Sequence, residues 1–289
     1  MLSNERKTSL VLEGGAIRDI FTTGVLDVFL ANNITFDQAV GVSAGAAFGV
    51  NYKSHQPQRA LRYNKRFAKN NHYASLKSWR KTGNLYNVEM CYHIIPDLLD
   101  YFDYDAFARD PMDFWVCATD IETGKAVFHR LISGRGEDMN WIRASASIPV
   151  FATPVEIDGH SYWDGGVSDS IPIDFFPKLG PTKQVVITTQ PRDYRKIPGK
   201  HRLLYSRIFK DYPAVKERVL NRAQDYNQTL EKMTQLENDG EILVIAPPAP
   251  LKVKTFKNSP QAVQNIYNIG VKTAYNNLQK IRHFLKIED

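Results

Sequence analysis

The sequence contains little cysteine and no long apolar run. Only two cysteines occur in 289 residues, Cys91 and Cys117, and neither belongs to a CxxC pair, which excludes a disulfide scaffold and argues against a cysteine metal cluster. No stretch approaches the roughly 18 apolar residues of a membrane-spanning helix. The N-terminus also lacks the apolar core of about 7–15 residues that a secretory signal needs. We therefore expect a cytoplasmic protein, with peripheral contact at the inner membrane surface as an option.

Two phosphate-binding signatures are also missing. The first glycine-rich segment fails the dinucleotide fingerprint because Asp19 stands at its last position, and no Gly-Lys-Ser/Thr follows to complete a Walker A loop. The chain has 37 Lys and Arg against 31 Asp and Glu, but this modest surplus matches no nucleic-acid module. We expect no cofactor, no metal ion and no nucleic-acid partner.

The composition is that of a packed globular protein. Hydrophobic residues make up 43% and aromatic residues 11% of the chain, too much for intrinsic disorder. Apolar runs at 8–12 and 36–42 each end in a glycine-rich turn and are followed by a helical pattern, an order typical of a parallel α/β sheet. Further strands are predicted at 112–119, 126–130, 155–157, 161–163, 184–189 and 241–245, and helices at 139–147, 213–236 and 260–285.

A candidate nucleophile lies in the second glycine-rich turn, Gly41-Val42-Ser43-Ala44-Gly45. A Gly-x-Ser-x-Gly turn between a strand and a helix presents the serine on a sharp bend, where flanking glycines avoid side-chain clashes. The N-terminus of the following helix directs backbone N–H groups and a positive dipole end towards the serine oxygen. On this motif alone, a nucleophile and a purely structural turn both remain open.

Two other segments complete a possible site. The turn Glu13-Gly14-Gly15-Ala16-Ile17-Arg18-Asp19 can direct the N–H groups of Gly14, Gly15 and Ala16 at a developing oxyanion, with Arg18 supporting the loop. The motif Asp164-Gly165-Gly166 places a carboxylate among glycines and aromatic residues, where partial desolvation raises its basicity.

Together these motifs resemble the patatin-like phospholipases, a family of lipid acyl hydrolases. The resemblance spans about 9–172 and includes the secondary segments Thr119-Asp120-Ile121-Glu122-Thr123-Gly124 and Ala144-Ser145-Ala146-Ser147-Ile148-Pro149. It implies a catalytic dyad of Ser43 and Asp164 without histidine. It also implies a three-layer α/β/α sandwich with a mainly parallel central sheet and a C-terminal helical extension. We expect one domain over 1–289, with a catalytic core at 8–178 and an extension at 179–289.

The resemblance implies a serine lipid acyl hydrolase of the phospholipase A or esterase type, which acts through an acyl-serine. The family loop usually has glycine where Ala16 and Asp19 stand. An acyltransferase with the same dyad and a lipid- or partner-binding protein with weak catalysis therefore remain alternatives. A Ser–Asp–His order of the α/β-hydrolase type would instead require His201 or His283.

Two basic segments carry a further expectation. Their cations recur at helical spacing or between apolar residues, which is typical either of a solvated face or of contact with anionic lipid. The segments comprise Arg59, Arg62, Lys65, Arg66 and Lys69, and then Arg192, Arg195, Lys196, Lys200, Arg202, Arg207 and Lys210. We expect a lipid or ester substrate and possible peripheral contact with an anionic membrane surface.

Overall fold

The computed structural model describes residues 7–199, 202–254 and 258–287. Within these ranges eight strands form one mixed sheet in the order β5-β6-β3-β2-β1-β7-β8, with β4 paired to β3. The strands are β1 (Lys7–Leu12), β2 (Gln38–Val42), β3 (Asp113–Asp120), β4 (Ala126–Leu131), β5 (Val155–Ile157), β6 (His160–Asp164), β7 (Thr182–Ile187) and β8 (Ile242–Ile245). The order β3-β2-β1-β7-β8 is parallel throughout, whereas β4, β5 and β6 add antiparallel pairings.

Helices cover both faces of this sheet. The α-helices are α1 (Ile20–Ala31), α2 (Ala44–Lys53), α3 (Arg59–Phe67), α4 (Leu76–Thr82), α5 (Tyr104–Arg109), α6 (Glu137–Ser145), α7 (Arg202–Ile208), α8 (Pro213–Asn238) and α9 (Pro260–Leu285). A π-helix spans Met90–Leu99, and short 3₁₀ turns occur at Ala16–Asp19, Gly165–Val167 and Phe176–Lys178. In the ranges described, no helix combines the length and apolar character required to cross a membrane.

Successive residues of β1 show how the three layers form. Leu10 and Leu12 are buried in one core with residues of α1, α2 and α9, whereas Val11 is buried in a second core with residues of α8. Because side chains alternate across a strand, a central strand covered on both faces must be apolar throughout. The α/β/α sandwich with a mainly parallel central sheet, predicted from the resemblance, is therefore confirmed, and β4, β5 and β6 make that sheet a mixed one.

The sheet register brings three distant segments to one edge. β1 and β2 are adjacent and parallel, so the turns that follow Leu12 and Val42 leave the same edge of the sheet. Val42 is level with Cys117 on β3, and the next residue of β3, Ala118, is level with Asp164 on β6. Asp164 consequently lies beside the residue that follows Val42.

The last helix packs closely against the first. Gly24 of α1 and Gly270 of α9 lie at the contact, and a Cβ atom added at Gly270 would lie 2.1 Å from the carbonyl oxygen of Phe21. Small residues at such a crossing let two helix backbones approach more closely than larger side chains permit. The C-terminal helix thus covers α1, which begins directly after the glycine-rich turn.

Candidate active site

Ser43 occupies a strained turn between β2 and α2. Its backbone has φ 56° and ψ −125°, a conformation that non-glycine residues rarely adopt and that is typical of functional sites. Gly45 permits the tight turn because a Cβ atom there would lie 2.7 Å from the carbonyl oxygen of Glu13, and one at Gly41 would lie 2.5 Å from Ala46 Cα. The local sequence therefore presents the Ser43 hydroxyl at the start of a helix, as its motif predicts.

The Ser43 hydroxyl contacts Asp164 directly. Ser43 Oγ donates a hydrogen bond of 2.6 Å to Asp164 Oδ2, and the Asp164 residue is only 4% exposed. Burial raises the pKa of Asp164 to about 6, partly offset by the hydrogen bonds from Ser43 and Gly166 and by the charge of Arg222. A carboxylate with this pKa is a stronger base than ordinary aspartate and is still mostly ionised at pH 7.

Backbone contacts fix the Asp164 carboxylate and its strand. The Gly166 N–H donates to Asp164 Oδ1 at 2.7 Å, and the Asp164 N–H donates to the Ser147 carbonyl at 2.9 Å. Gly165 can only be glycine here, because an added Cβ would lie 2.2 Å from the Cys117 carbonyl oxygen. The two glycines that follow Asp164 thus have separate roles, one in close packing and the other in orienting the carboxylate.

Two hydroxyl side chains complete the frame of the site. Ser145 Oγ accepts the N–H of Ser43 at 3.0 Å, and Thr119 Oγ1 donates to the Asp164 carbonyl at 2.8 Å. Thr119 and Ser145 belong to the two secondary segments of the family resemblance, 119–124 and 144–149. These segments lie against the nucleophile turn and the carboxylate strand, but the sequence alone assigned no contact to either hydroxyl.

The glycine-rich turn after β1 uses two of its N–H groups within the protein. The Gly14 N–H donates to the Ser170 carbonyl at 3.4 Å, and the Gly15 N–H donates to Asp19 Oδ2 at 2.5 Å. Asp19 is fully buried, and its burial together with the nearby charge of Glu13 raises its pKa well above the usual range. In this arrangement the Gly15 N–H that the sequence assigned to an oxyanion is held by Asp19.

Other backbone donors remain near Ser43. Within the described part of the chain, the N–H groups of Ala16 and Ala44 make no hydrogen bond, and Ala44 is the first residue of α2. Ala16 has φ 51°, in the left-handed region that favours the glycine usual at this position of the family loop. Arg18 does not line the cavity beside Ser43. Its charge acts on Asp19, Lys196 and Tyr226, and its Nε is buried without a partner in the described residues.

An apolar cavity of about 170 Å³ opens beside Ser43. Its walls are formed mainly by α2, α3, the π-helix, α6 and the segment after α6. Side chains that line it include Ile17, Phe48, Tyr63, Leu85, Tyr92, Ile95, Phe102, Ile142, Ile148 and Phe151. Such a lining suits a hydrocarbon chain, and it places that chain next to the Ser43 hydroxyl.

Neither histidine of the alternative triad has a described contact with Ser43 or Asp164. His283 is an exposed residue near the end of α9, and His201 lies outside the described residues. Across 7–199, 202–254 and 258–287, no group of three or more His, Cys, Asp or Glu residues could hold a metal ion.

Sequence comparison places the chain in a known family. A family model described as "Patatin-like phospholipase" matches 10–177, more than half of the chain. The chain therefore belongs to the patatin-like phospholipase family, a class of lipid hydrolases. A second model, for a domain of unknown function (DUF6363), matches 212–286, which includes α8 and α9.

Individual relatives are more distant. The chain is 27% identical over 283 residues to the uncharacterized protein YjjU of Escherichia coli strain K12, covering 91% of this chain and 75% of that protein. Among solved structures, VipD from Legionella pneumophila has a TM-score of 0.48 at 11% identity, covering 96% of this chain and 67% of the other. The type III effector ExoU has a TM-score of 0.38 at 11% identity, covering 95% of this chain and 53% of the other.

Proposed function

We propose that this chain is a serine lipid acyl hydrolase of the phospholipase A or esterase type, in which Ser43 and Asp164 form a catalytic dyad. The observation that carries the proposal is the 2.6 Å hydrogen bond from Ser43 Oγ to Asp164 Oδ2 at a strained strand-to-helix turn. The turn lies beside an apolar cavity in a member of a phospholipase family.

In this mechanism Asp164 Oδ2 takes the Ser43 proton while Ser43 Oγ attacks the ester carbonyl carbon. Collapse of the tetrahedral intermediate breaks the bond to the alcohol, which leaves with the proton held by Asp164. Water then attacks the acyl-serine and gives its proton to Asp164. The fatty acid departs, and the proton returns to Ser43.

We assign the oxyanion to backbone donors around Ser43. The Ala44 N–H stands at the N-terminus of α2, where the helix dipole adds positive potential, and the Ala16 N–H belongs to the glycine-rich turn. Gly14 and Gly15 remain candidates from the sequence, and the Gly15 N–H becomes available once it leaves Asp19.

Two alternatives use the same residues. An acyltransferase would form the same acyl-serine and pass the acyl group to an alcohol instead of water. A binding protein with weak catalysis is favoured by one observation, the capture of the Gly15 N–H by the buried Asp19 carboxylate, which withholds a donor from substrate.

The proposed membrane contact rests on the segment that contains α7. The cations of α3 mostly bind the protein itself: Arg59 and Arg62 contact Asp100, Lys65 contacts Gln264, and Arg66 contacts the Leu99 carbonyl. Around α7, by contrast, Ile197 is 81% and Leu203 is 90% exposed, close in sequence to the exposed cations Arg195, Arg207 and Lys210. Lys200 and the Arg202 side chain lie outside the described residues.

The α7 segment lies near both the carboxylate strand and the cavity. Phe209, directly after α7, packs on the ring of Trp163, the residue before Asp164. Val150 and Tyr205 pack against the same cluster, and the neighbour of Val150, Phe151, lines the cavity. Apolar and basic side chains here would suit an anionic bilayer that supplies the substrate.

We also propose that 1–289 form one domain, which is supported by the pairing of β7 with β1 in one sheet.

The catalytic proposal is tested with a p-nitrophenyl octanoate assay, a phospholipid panel and fluorophosphonate labelling. Wild-type protein and the control variant Ser161→Ala, on the same strand as Asp164, are expected to hydrolyse ester and to be labelled. Ser43→Ala is expected to lose both ester hydrolysis and labelling, and Asp164→Asn is expected to lose hydrolysis. Hydrolysis retained by Ser43→Ala would contradict the dyad, and an unlabelled, inactive wild type would favour the binding alternative.

Added alcohol separates hydrolysis from acyl transfer through the ratio of ester to fatty acid formed.

Membrane contact is tested by co-sedimentation with vesicles of anionic or zwitterionic phospholipid. Leu203→Asp is expected to reduce sedimentation with anionic vesicles, whereas Leu179→Asp, an equally drastic change at an exposed leucine outside this segment, is expected to leave it unchanged. Equal behaviour of the two variants would contradict the assignment to α7.

A further inference from the structure

Arg222 connects the C-terminal helical region to the candidate dyad. It lies on α8, within the part of the chain matched by the domain of unknown function. Arg222 Nε donates to the Gly166 carbonyl at 2.6 Å, and Nη2 donates to Ser170 Oγ at 3.4 Å. The side chain thus reaches across from the helical layer to the turn that follows Asp164.

Each group that Arg222 contacts is joined to the site. Gly166 donates its N–H to Asp164 Oδ1 at 2.7 Å, so the two peptide groups that meet at Gly166 Cα are each held, one by the Asp164 carboxylate and the next by Arg222. Ser170 Oγ donates to the same Gly166 carbonyl, and the Ser170 carbonyl accepts the N–H of Gly14 in the glycine-rich turn.

We propose that Arg222 is a positioning residue that fixes the backbone at Gly166, so that the Gly166 N–H holds the Asp164 carboxylate against Ser43. This inference rests on the proposed function of the dyad and assigns a role to the C-terminal region, which carries no catalytic motif. Among the described residues, no carboxylate lies within ion-pair distance of Arg222, so its positive charge acts on the site undiminished by a direct partner.

Loss of this charge should change how Asp164 titrates. Arg222 lowers the pKa of Asp164 against the opposing effect of burial, so a neutral residue at position 222 should raise it further. Among the described residues, the other titratable groups near Asp164 are Cys117 on β3 and Tyr92 on the π-helix, and burial raises the pKa of both, leaving them neutral at pH 7. Asp169, whose pKa burial raises to about 6, acts electrostatically on Cys117.

The experiment compares Arg222→Gln, Arg222→Lys and the control Arg218→Gln in the full chain. Arg218 lies one turn earlier on α8 and contacts Gly124 and Asp225 instead of the site. The profile of kcat/KM against pH for a soluble short-chain ester is expected to show its acid limb moved upwards by about 0.5–1 pH unit in Arg222→Gln. Above the limb, kcat should fall about tenfold with little change in KM. Arg222→Lys should restore the limb in part, and Arg218→Gln should match the wild type.

A second measurement requires no turnover. The ¹³C resonance of the Asp164 carboxyl is followed against pH. Its absence from the spectrum of Asp164→Asn assigns it and distinguishes it from the resonance of Asp169. A higher pKa of Asp164 in Arg222→Gln than in Arg218→Gln supports the inference; equal values overturn it, whatever the enzyme assay gives. An inactive wild type would instead count against the proposed function, while an active wild type with unchanged profiles in both Arg222 variants would overturn only the role of Arg222.

Discussion

Replacing Asp164 by asparagine should remove activity and at the same time stabilise the fold above pH 6. Burial raises the pKa of the Asp164 carboxyl from 3.8 to about 6. A folded state that binds a proton more tightly than the unfolded state loses stability as the pH rises between those two values. The ionised carboxylate that the proposed mechanism needs is therefore the form that the native protein tolerates less well.

The size of the effect follows from the shift. A difference of about 2 units at about 1.4 kcal/mol each gives about 3 kcal/mol of stability lost by the wild type once the pH is well above 6. At pH 5 roughly half of that loss has occurred, because the unfolded carboxyl is ionised and the folded one is largely protonated. Asparagine keeps the shape of the side chain and does not titrate.

The effect is measured by urea unfolding of the variant and the wild type at pH 5 and at pH 8, and the change in stability caused by the substitution is compared between the two pH values. The free energy of unfolding of Asp164→Asn minus that of the wild type is expected to be about 1–2 kcal/mol larger at pH 8 than at pH 5. Other buried carboxyls, Asp19 and Asp169, titrate in both proteins and cancel. Asp158→Asn, in the exposed turn of the same hairpin, should give equal differences at both pH values. An Asp164→Asn difference that stays constant or shrinks at pH 8 would refute the reasoning.

Three further predictions concern other parts of the molecule. Gly270→Ala should lower the free energy of unfolding by about 2 kcal/mol or more, since its Cβ would overlap the Phe21 carbonyl, while the exposed change Asn276→Ala on the same helix should be nearly neutral in urea unfolding. Asp19→Gly should raise kcat for a soluble ester at least about tenfold, because the Gly15 N–H is released for the oxyanion; an unchanged kcat would place the oxyanion donors elsewhere. Cys91 should react slowly with maleimide at pH 7 in the native protein and rapidly in urea, because desolvation raises the pKa of its thiol to about 12; fast native labelling, followed by mass spectrometry, would contradict the raised pKa.

The strands and both glycine-rich turns could be predicted because their signals are local. Runs such as 8–12 are apolar throughout and end in glycine, which specifies a buried strand and a turn without reference to the rest of the chain. The helix after the first turn begins later than its apolar spacing indicates, because Ala16–Asp19 form a 3₁₀ turn before α1 starts at Ile20.

The wall of the cavity could not be predicted in the same way. The segment 70–111 forms α4, the π-helix and α5, and Pro96 lies inside the π-helix, where a sequence pattern predicts a break. Several of its side chains line the cavity, so their positions follow tertiary contacts and show no regular helical spacing in the sequence.

The contacts of Asp19 and Arg222 depend on the folded arrangement. The Asp19 carboxylate accepts the Gly15 N–H because the 3₁₀ turn brings the two residues together. Arg222 lies 56 residues from Gly166 in the chain. Nothing in the sequence distinguishes Arg222 from the other basic residues of its helix, such as Arg218. Side chains that act through tertiary contacts leave no local pattern of this kind.

The close crossing of α1 and α9 has a consequence for synthesis of the protein. While the ribosome is still adding residues beyond β8, the nascent chain already contains Ser43 and Asp164, but the apolar side of α1 has no cover. A polypeptide released before 260–285 would leave the face of α1 at Phe21 and Gly24 open to water and to other chains. Translation through 260–285 is therefore expected to be a condition for a soluble product, and termination before this segment should direct the product towards aggregation or proteolysis.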